Sequence, residues 1–186
     1  MQKEKLETLL RNELADNKIY QETLKIAKKN SEGRIWLIGG LVFRALAHHL
    51  YGSRFILNDV DFLFEKLNRE IVAPKGWTIR SNRFGNPKLI KNGIVIDLIP
   101  LKSLYCIQSK NLKPTIENYL NGAPLTVQSI AFDIGKQTLI GDVGIESLIN
   151  KTVGINNQEE YDHVVSVGKV YSLKKYAKEL GFKVIK

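Results

Sequence analysis

The stretch Trp36–Arg44, WLIGGLVFR, is the part of the chain from which the fold can be worked out. Its opening apolar residues continue a short run that we interpret as a buried β-strand, and Gly39 and Gly40 follow directly. Apolar residues then recur at helical spacing as far as Leu50. The stretch therefore predicts a strand, a Gly-Gly turn and a helix. Glycines at such a turn let the backbone approach a phosphate group, which the free N–H groups of the helix N-terminus can bind.

Acidic residues interrupt two further apolar segments. In the predicted strand Val60–Phe64, side chains alternate, so Asp59 and Asp61 share one face while Val60 and Phe62 share the other. A third carboxylate, Asp97, lies inside the apolar segment Ile94–Leu98. A buried carboxylate is costly unless it is paired, hydrogen-bonded or bound to a metal.

Three convergent carboxylates would suit divalent cations, because Mg²⁺ prefers oxygen ligands and shares them with substrate phosphates. Asp59 and Asp61 would bridge two ions, and Asp97 would hold the ion that activates an attacking hydroxyl or act as a general base. Each motif also has a simpler interpretation. The Asp-x-Asp pair could be a solvated strand edge, and the Gly-Gly pair an ordinary tight turn.

The remaining pattern predicts an α/β (α+β) fold: a single domain with a mixed or antiparallel sheet flanked by helices. Residues 1–30 form an N-terminal helical segment, residues 34–155 the core, and residues 156–186 a C-terminal helical appendage. Asn92-Gly93 strongly indicates a hairpin, since both residues tolerate positive φ. We predict further strands and helices at Trp77–Arg80, Lys88–Lys91, Pro114–Leu120, Leu125–Phe132, Gln137–Ile140, Ile145–Ile149 and Ser172–Leu180.

Composition narrows the functional classes. The chain of 186 residues has a net charge of +9, which favours polyanionic partners. The basic segment Arg69–Lys91 could contact a triphosphate or a nucleic-acid backbone, or be a solvated hairpin face. No apolar run is long enough to span a membrane, and no secretory signal is expected at the N-terminus. The lone Cys106 fits a reducing compartment, so we expect a cytoplasmic protein.

In order along the chain, these motifs resemble the head domain of class II poly(A) polymerases and CCA-adding enzymes, within the polymerase-β-like nucleotidyltransferase superfamily. The resemblance covers residues 34 to 155. It rests on five stretches: Trp36–Gly40, Asn58–Phe62, Val95–Leu98, Leu125–Asp133 and Leu139–Leu148. The family's helix opens with an Arg-Asp pair, whereas Arg44 lies one place later here and the acid is absent.

This resemblance implies transfer of a nucleoside monophosphate from an NTP to a hydroxyl acceptor, with Mg²⁺ or Mn²⁺. Asp59, Asp61 and Asp97 would be the catalytic and metal-binding residues. Gly39, Gly40 and Arg44 would bind the nucleotide. The acceptor could be RNA, a protein side chain or a small molecule, and a partner protein is conceivable. The alternative is a non-catalytic module that keeps the fold and binds nucleotide or nucleic acid.

Overall fold

A seven-stranded sheet forms the centre of the fold, with helices on both faces. The computed structural model describes residues 2–57, 59–167 and 172–185, so Asn58 and part of the predicted C-terminal appendage lie outside the described residues. The helices are α1 Gln2–Asp16, α2 Lys18–Lys29, α3 Gly40–Tyr51, α4 Tyr105–Gln108, α5 Ile116–Gly122, α6 Asp142–Asn150, α7 Gln158–Ser166 and α8 Leu173–Leu180. The strands are β1 Ile35–Ile38, β2 Asp59–Phe64, β3 Thr78–Ser81, β4 Pro87–Lys91, β5 Ile94–Pro100, β6 Ala131–Asp133, β7 Thr138–Ile140, β8 Thr152–Val153 and β9 Lys183–Val184.

The sheet is mixed, and its strand order is β3-β4-β5-β2-β1-β6-β7. Strands β2 and β5 pair in parallel, while the other pairs of this sheet are antiparallel. The β3–β4 hairpin is the crossover between the two parallel strands, which need a long connection. β8 and β9 form a separate two-stranded parallel pair. The prediction of a mixed α/β fold is confirmed.

Alternation along β2 separates two hydrophobic cores. Val60, Phe62 and Phe64 are fully buried in the larger core, against apolar residues of the first three helices. Leu63 points the other way, into a smaller core that includes Trp36 and Ile116. Asp59 and Asp61 lie four and two positions before Leu63 in the strand, so they point to the same face as Leu63, the face of the smaller core.

Capping and turn residues set several boundaries of these elements. Asn17 caps α2 by accepting a hydrogen bond from Tyr20 N, which separates the two N-terminal helices. Asn92 and Gly93 both have positive φ, 50° and 80°, as the two-residue hairpin turn between β4 and β5 requires. Ser172 caps α8 in the same way as Asn17 caps α2. Within the described residues, the structure contains no helix long and apolar enough to span a membrane.

The strand predicted at Leu125–Phe132 is wrong for most of its residues. Residues Leu125–Phe132 were expected to be extended, but Thr126–Gln128 form a 3₁₀ turn and β6 begins only at Ala131. The cause is the packing of α6: Gly144 N donates a hydrogen bond of 3.2 Å to the carbonyl of Ser129, which removes that carbonyl from strand pairing. Helix α5 also begins later than predicted, at Ile116, with Thr115 as its cap.

Helix α7 carries a half-buried acid, Glu160, beside Cys106 of α4. Its Oε2 atom is buried and makes no hydrogen bond within the described part of the chain. Burial raises the pKa of Glu160 from its ordinary value of 4.5 to about 7, although a backbone hydrogen bond from Cys106 opposes the shift. The protonated form is therefore favoured by folding, and this contribution to stability is lost as the pH rises from about 4.5 to 7.

Glu160→Gln should therefore increase the free energy of unfolding above pH 7 and leave it nearly unchanged near pH 4.5. After a discount for partial exposure, we expect a gain of about 1–2 kcal/mol at pH 8. Urea unfolding from pH 4.5 to 8 measures the difference. Glu146→Gln, at an exposed acid of α6 that does not contact Glu160, is the matched control. Parallel pH profiles for Glu160→Gln and the wild type would contradict this expectation.

Candidate functional site

A single row of cross-strand neighbours brings the predicted acidic residues together. Asp61 of β2 lies directly opposite Asp97 of β5, and Asp97 lies opposite Lys88 of β4 on its other side. Directly opposed residues share a face of the sheet, and adjacent strands are about 4.8 Å apart. Asp59 lies two residues before Asp61, on the same face and exposed to solvent. The structure thus places all three carboxylates in one cleft.

The cleft has a volume of about 660 Å³, and its lining residues lie between Gly39 and Glu179 in the sequence. The floor of the cleft is the row formed by Asp61, Asp97 and Lys88, and the turn between β1 and α3 forms one wall. Basic side chains Arg54 and Arg83 line it as well. From the predicted basic segment Arg69–Lys91, Arg83 and Lys88 reach the cleft. Lys91 pairs with Glu22 instead, at 2.8 Å.

Gly39 brings the β1–α3 turn against Asp61. Its backbone has φ 72° and ψ −153°, a combination that is essentially restricted to glycine. A Cβ atom at this position would overlap Asp61 Oδ2 and lie 3.1 Å from Asp61 Cγ. The turn is therefore glycine both for its backbone conformation and for its contact with the carboxylate. Helix α3 begins at Gly40, so its first N–H groups lie beside the acidic row.

Asp97 has partners on both carboxylate oxygens. Asn82 Nδ2 donates a hydrogen bond of 3.0 Å to Oδ1, and Lys88 Nζ lies 3.7 Å from Oδ2. Asn82 is itself fixed, because its side-chain oxygen accepts hydrogen bonds from the backbone N–H groups of Phe84 and Asn86. Sequence reasoning missed Asn82, although its place before Gly85-Asn86-Pro87 marks it as a turn residue.

Arg44 lines the cleft but is already ion-paired. Its guanidinium binds Glu179 of α8 through Nε and, at 3.4 Å, through Nη2. Its centre also lies 5.8 Å from the ring of Tyr176, on the same helix. Burial raises the pKa of Tyr176. No sequence pattern indicates that Glu179 and Tyr176 line the cleft, because these residues of α8 lie more than 130 positions after Arg44.

The donor set fits a divalent cation only in part. Carboxylates are suitable ligands for Mg²⁺, which commonly takes one or two of them and completes its shell with water and substrate phosphates. Among the described residues, however, no group of three or more acidic, histidine or cysteine side chains is arranged to hold a metal ion. Asp59 and Asp61 therefore fit a cation that shares its shell with substrate, while Asp97 faces Lys88 and Asn82.

Comparison with known proteins identifies the fold. Neither the protein-family models nor the curated proteins give a match to this sequence. Among solved structures, the chain is similar to the Bacillus stearothermophilus CCA-adding enzyme in complex with CTP, at 19% identity and a TM-score of 0.61. That match covers 91% of this chain and 41% of the enzyme. A CCA-adding enzyme in complex with ATP is similar at 15% identity and a TM-score of 0.58, covering 95% and 41%.

A third similar structure is a tRNA nucleotidyltransferase complexed with a primer tRNA and an incoming ATP analog. It has 17% identity and a TM-score of 0.54, with 82% of this chain and 44% of that one covered. The chain thus spans about two fifths of the length of the enzymes it matches. At these identities the comparisons show that the chain has the nucleotidyltransferase fold, as the sequence motifs predict.

Proposed function

We propose that the chain is a metal-dependent nucleotidyltransferase, which transfers a nucleoside monophosphate from an NTP to a hydroxyl acceptor. The observation that carries the proposal is the direct pairing of Asp61 with Asp97, beside the Gly39 turn, in a nucleotidyltransferase fold. Asp59, Asp61 and Asp97 are the proposed acidic residues of the reaction. Mg²⁺ or Mn²⁺ is the proposed metal, held by Asp59 and Asp61, and Asp97 is the third carboxylate of the site.

The proposed reaction forms one bond and breaks another. An acceptor oxygen bonds to the α-phosphorus of the NTP, the α–β phosphoanhydride bond breaks, and pyrophosphate leaves with its electron pair. The acceptor proton passes to Asp97 or to solvent. A bound divalent cation would polarise the phosphate and lower the pKa of the attacking hydroxyl.

The protein's own contribution would be positioning. N–H groups at the start of α3 and the cation of Arg44 face the cleft where a triphosphate would lie, so Gly39, Gly40 and Arg44 are the proposed nucleotide-binding residues. Gly39 leaves room for Asp61 close to that turn. RNA, a protein side chain and a small molecule are all acceptors with the required hydroxyl. The primer tRNA bound by one similar enzyme supports RNA, and the composition supports a cytoplasmic location.

One observation favours the alternative, a module that binds nucleotide or nucleic acid without catalysis. Arg44, the cation predicted to meet the triphosphate, is bound by Glu179. A nucleotide must therefore displace or share that contact. Such a module would need no metal at Asp59 and Asp61, and this difference allows the two functions to be separated by experiment.

Thermal unfolding with each NTP, with and without Mg²⁺, separates the two functions. For the enzyme, we expect an NTP to raise the melting temperature of the wild type only when Mg²⁺ is present, because a ligand that binds the native state stabilises it. The shift should disappear in Asp59→Ala and Asp61→Ala and persist in Asp142→Ala, an exposed acid at the start of α6. Stabilisation that is independent of Mg²⁺ and of both cleft substitutions would favour the non-catalytic module.

A further inference from the structure

Lys88 forms an ion pair with Asp97 inside the cleft. It is the direct cross-strand neighbour of Asp97, and their side chains are 29% and 17% exposed. The ammonium and carboxylate therefore meet in a partly desolvated position, where their attraction is stronger than between surface charges. On the other side of Lys88 lies Arg80 of the exposed edge strand β3, so Asp97 is the acidic neighbour of Lys88 in this row.

Asp97 needs a positive charge at this position. It lies in register with Asp61 on the adjacent strand, and directly opposed like charges destabilise a sheet. In a site with two divalent cations, the second cation would compensate the charge of Asp97. In this chain Lys88 Nζ, with Asn82 Nδ2 on the other oxygen, already compensates it without any metal.

We propose that Lys88 is a positioning residue that takes the place of a second divalent cation at Asp97. The site then binds one divalent cation, at the Asp59 and Asp61 end, and keeps a fixed ammonium at the Asp97 end. This inference rests on the proposed function and deepens it, because it specifies how many metal ions the nucleotidyl transfer uses. It also gives Asp97 the role of a carboxylate held in a fixed orientation by Lys88 and Asn82.

Counting bound Mn²⁺ tests the inference without an assay of activity. The loss of the free Mn²⁺ signal in electron paramagnetic resonance, titrated with protein, gives the number of ions bound per chain. We expect one ion for the wild type and two for Lys88→Met, because removal of the ammonium leaves Asp61 and Asp97 to share a second cation. Lys88→Arg keeps the positive charge and should stay at one.

Two control variants make the count specific. Lys91→Met removes another ion-paired lysine of β4, one that contacts Glu22 rather than Asp97, and should stay at one ion. Asp97→Asn should also stay at one, since in the wild type its carboxylate holds no metal. Circular dichroism establishes that each variant is folded before its ions are counted.

The outcomes also separate this inference from the proposed function. Two ions in the wild type, with one lost in Asp97→Asn, would overturn the role of Lys88 and leave the nucleotidyltransferase proposal intact. A count of one in folded Lys88→Met would overturn it as well. No bound Mn²⁺ in the wild type would overturn this inference, and the Mg²⁺-dependent stabilisation by NTP then decides the proposed function separately.

Discussion

Replacement of Asp61 by Asn is expected to lower nucleotidyl transfer by about a thousandfold, equivalent to about 4 kcal/mol of activation free energy. Asp61 is the carboxylate at the centre of the site, between Asp97 on one side and the Gly39 turn on the other. Asparagine has the same shape, so the fold should persist. It lacks the negative charge, so it binds a hard cation poorly.

The measurement is transfer of label from α-³²P-NTPs to acceptors in a cell extract, followed by single-turnover kinetics on the acceptor found. Asp142→Asn is the matched control, since it removes one exposed carboxylate outside the cleft and should leave the rate unchanged. Far-ultraviolet circular dichroism checks the fold of each variant. A fully active Asp61→Asn protein would mean that this carboxylate has no part in the chemistry.

Gly39→Ala is expected to have the second largest effect, on both stability and activity. The backbone conformation at Gly39 alone costs an alanine about 1–3 kcal/mol. The added Cβ would also overlap Asp61 Oδ2, so either the turn or the carboxylate must move. Displacement of a reacting group by about 1 Å can lower a rate about a hundredfold. We therefore expect a destabilised protein with about one hundredth of the wild-type activity.

Gly52→Ala is the appropriate comparison for this effect. Gly52 also has positive φ, 69°, but it ends α3, and a Cβ added there would meet no atom of the described residues within 4 Å. Its substitution should cost about 1–2 kcal/mol of stability and leave transfer unchanged. Chemical unfolding and single-turnover kinetics on both variants measure the two effects. Equal losses of activity in the two variants would show that the contact with Asp61 does not matter.

The sequence allowed the first half of the fold to be predicted well, because its signals are local. Alternation in β2, helical spacing after Gly40 and the Asn92-Gly93 turn each depend on a few neighbouring residues. Helix α7 and the short strands β8 and β9 were missed. Strands of two residues carry no periodicity, and β9 is extended because it pairs with β8, about thirty residues earlier.

The candidate site was harder to predict than the fold, since its geometry depends on long-range pairing. The sequence identifies Asp61 and Asp97 as acids in apolar strands, but their opposition follows from the parallel register of β2 and β5. The partners that the structure adds, Asn82 and Glu179, come from a turn and from the last described helix. No local sequence pattern predicts that Asn82 or Glu179 reaches the cleft.

The tight turn at Asn92-Gly93 has a consequence for the order of folding. It sets Lys88 opposite Asp97, only nine positions away, so little chain entropy is lost when the two meet. Hairpins of this kind form within microseconds, whereas pairing of β5 with β2 must close a loop of more than thirty residues. We therefore expect Asp97 to pair with Lys88 before β5 joins the sheet, so that the carboxylate already has its counter-charge when the cleft forms.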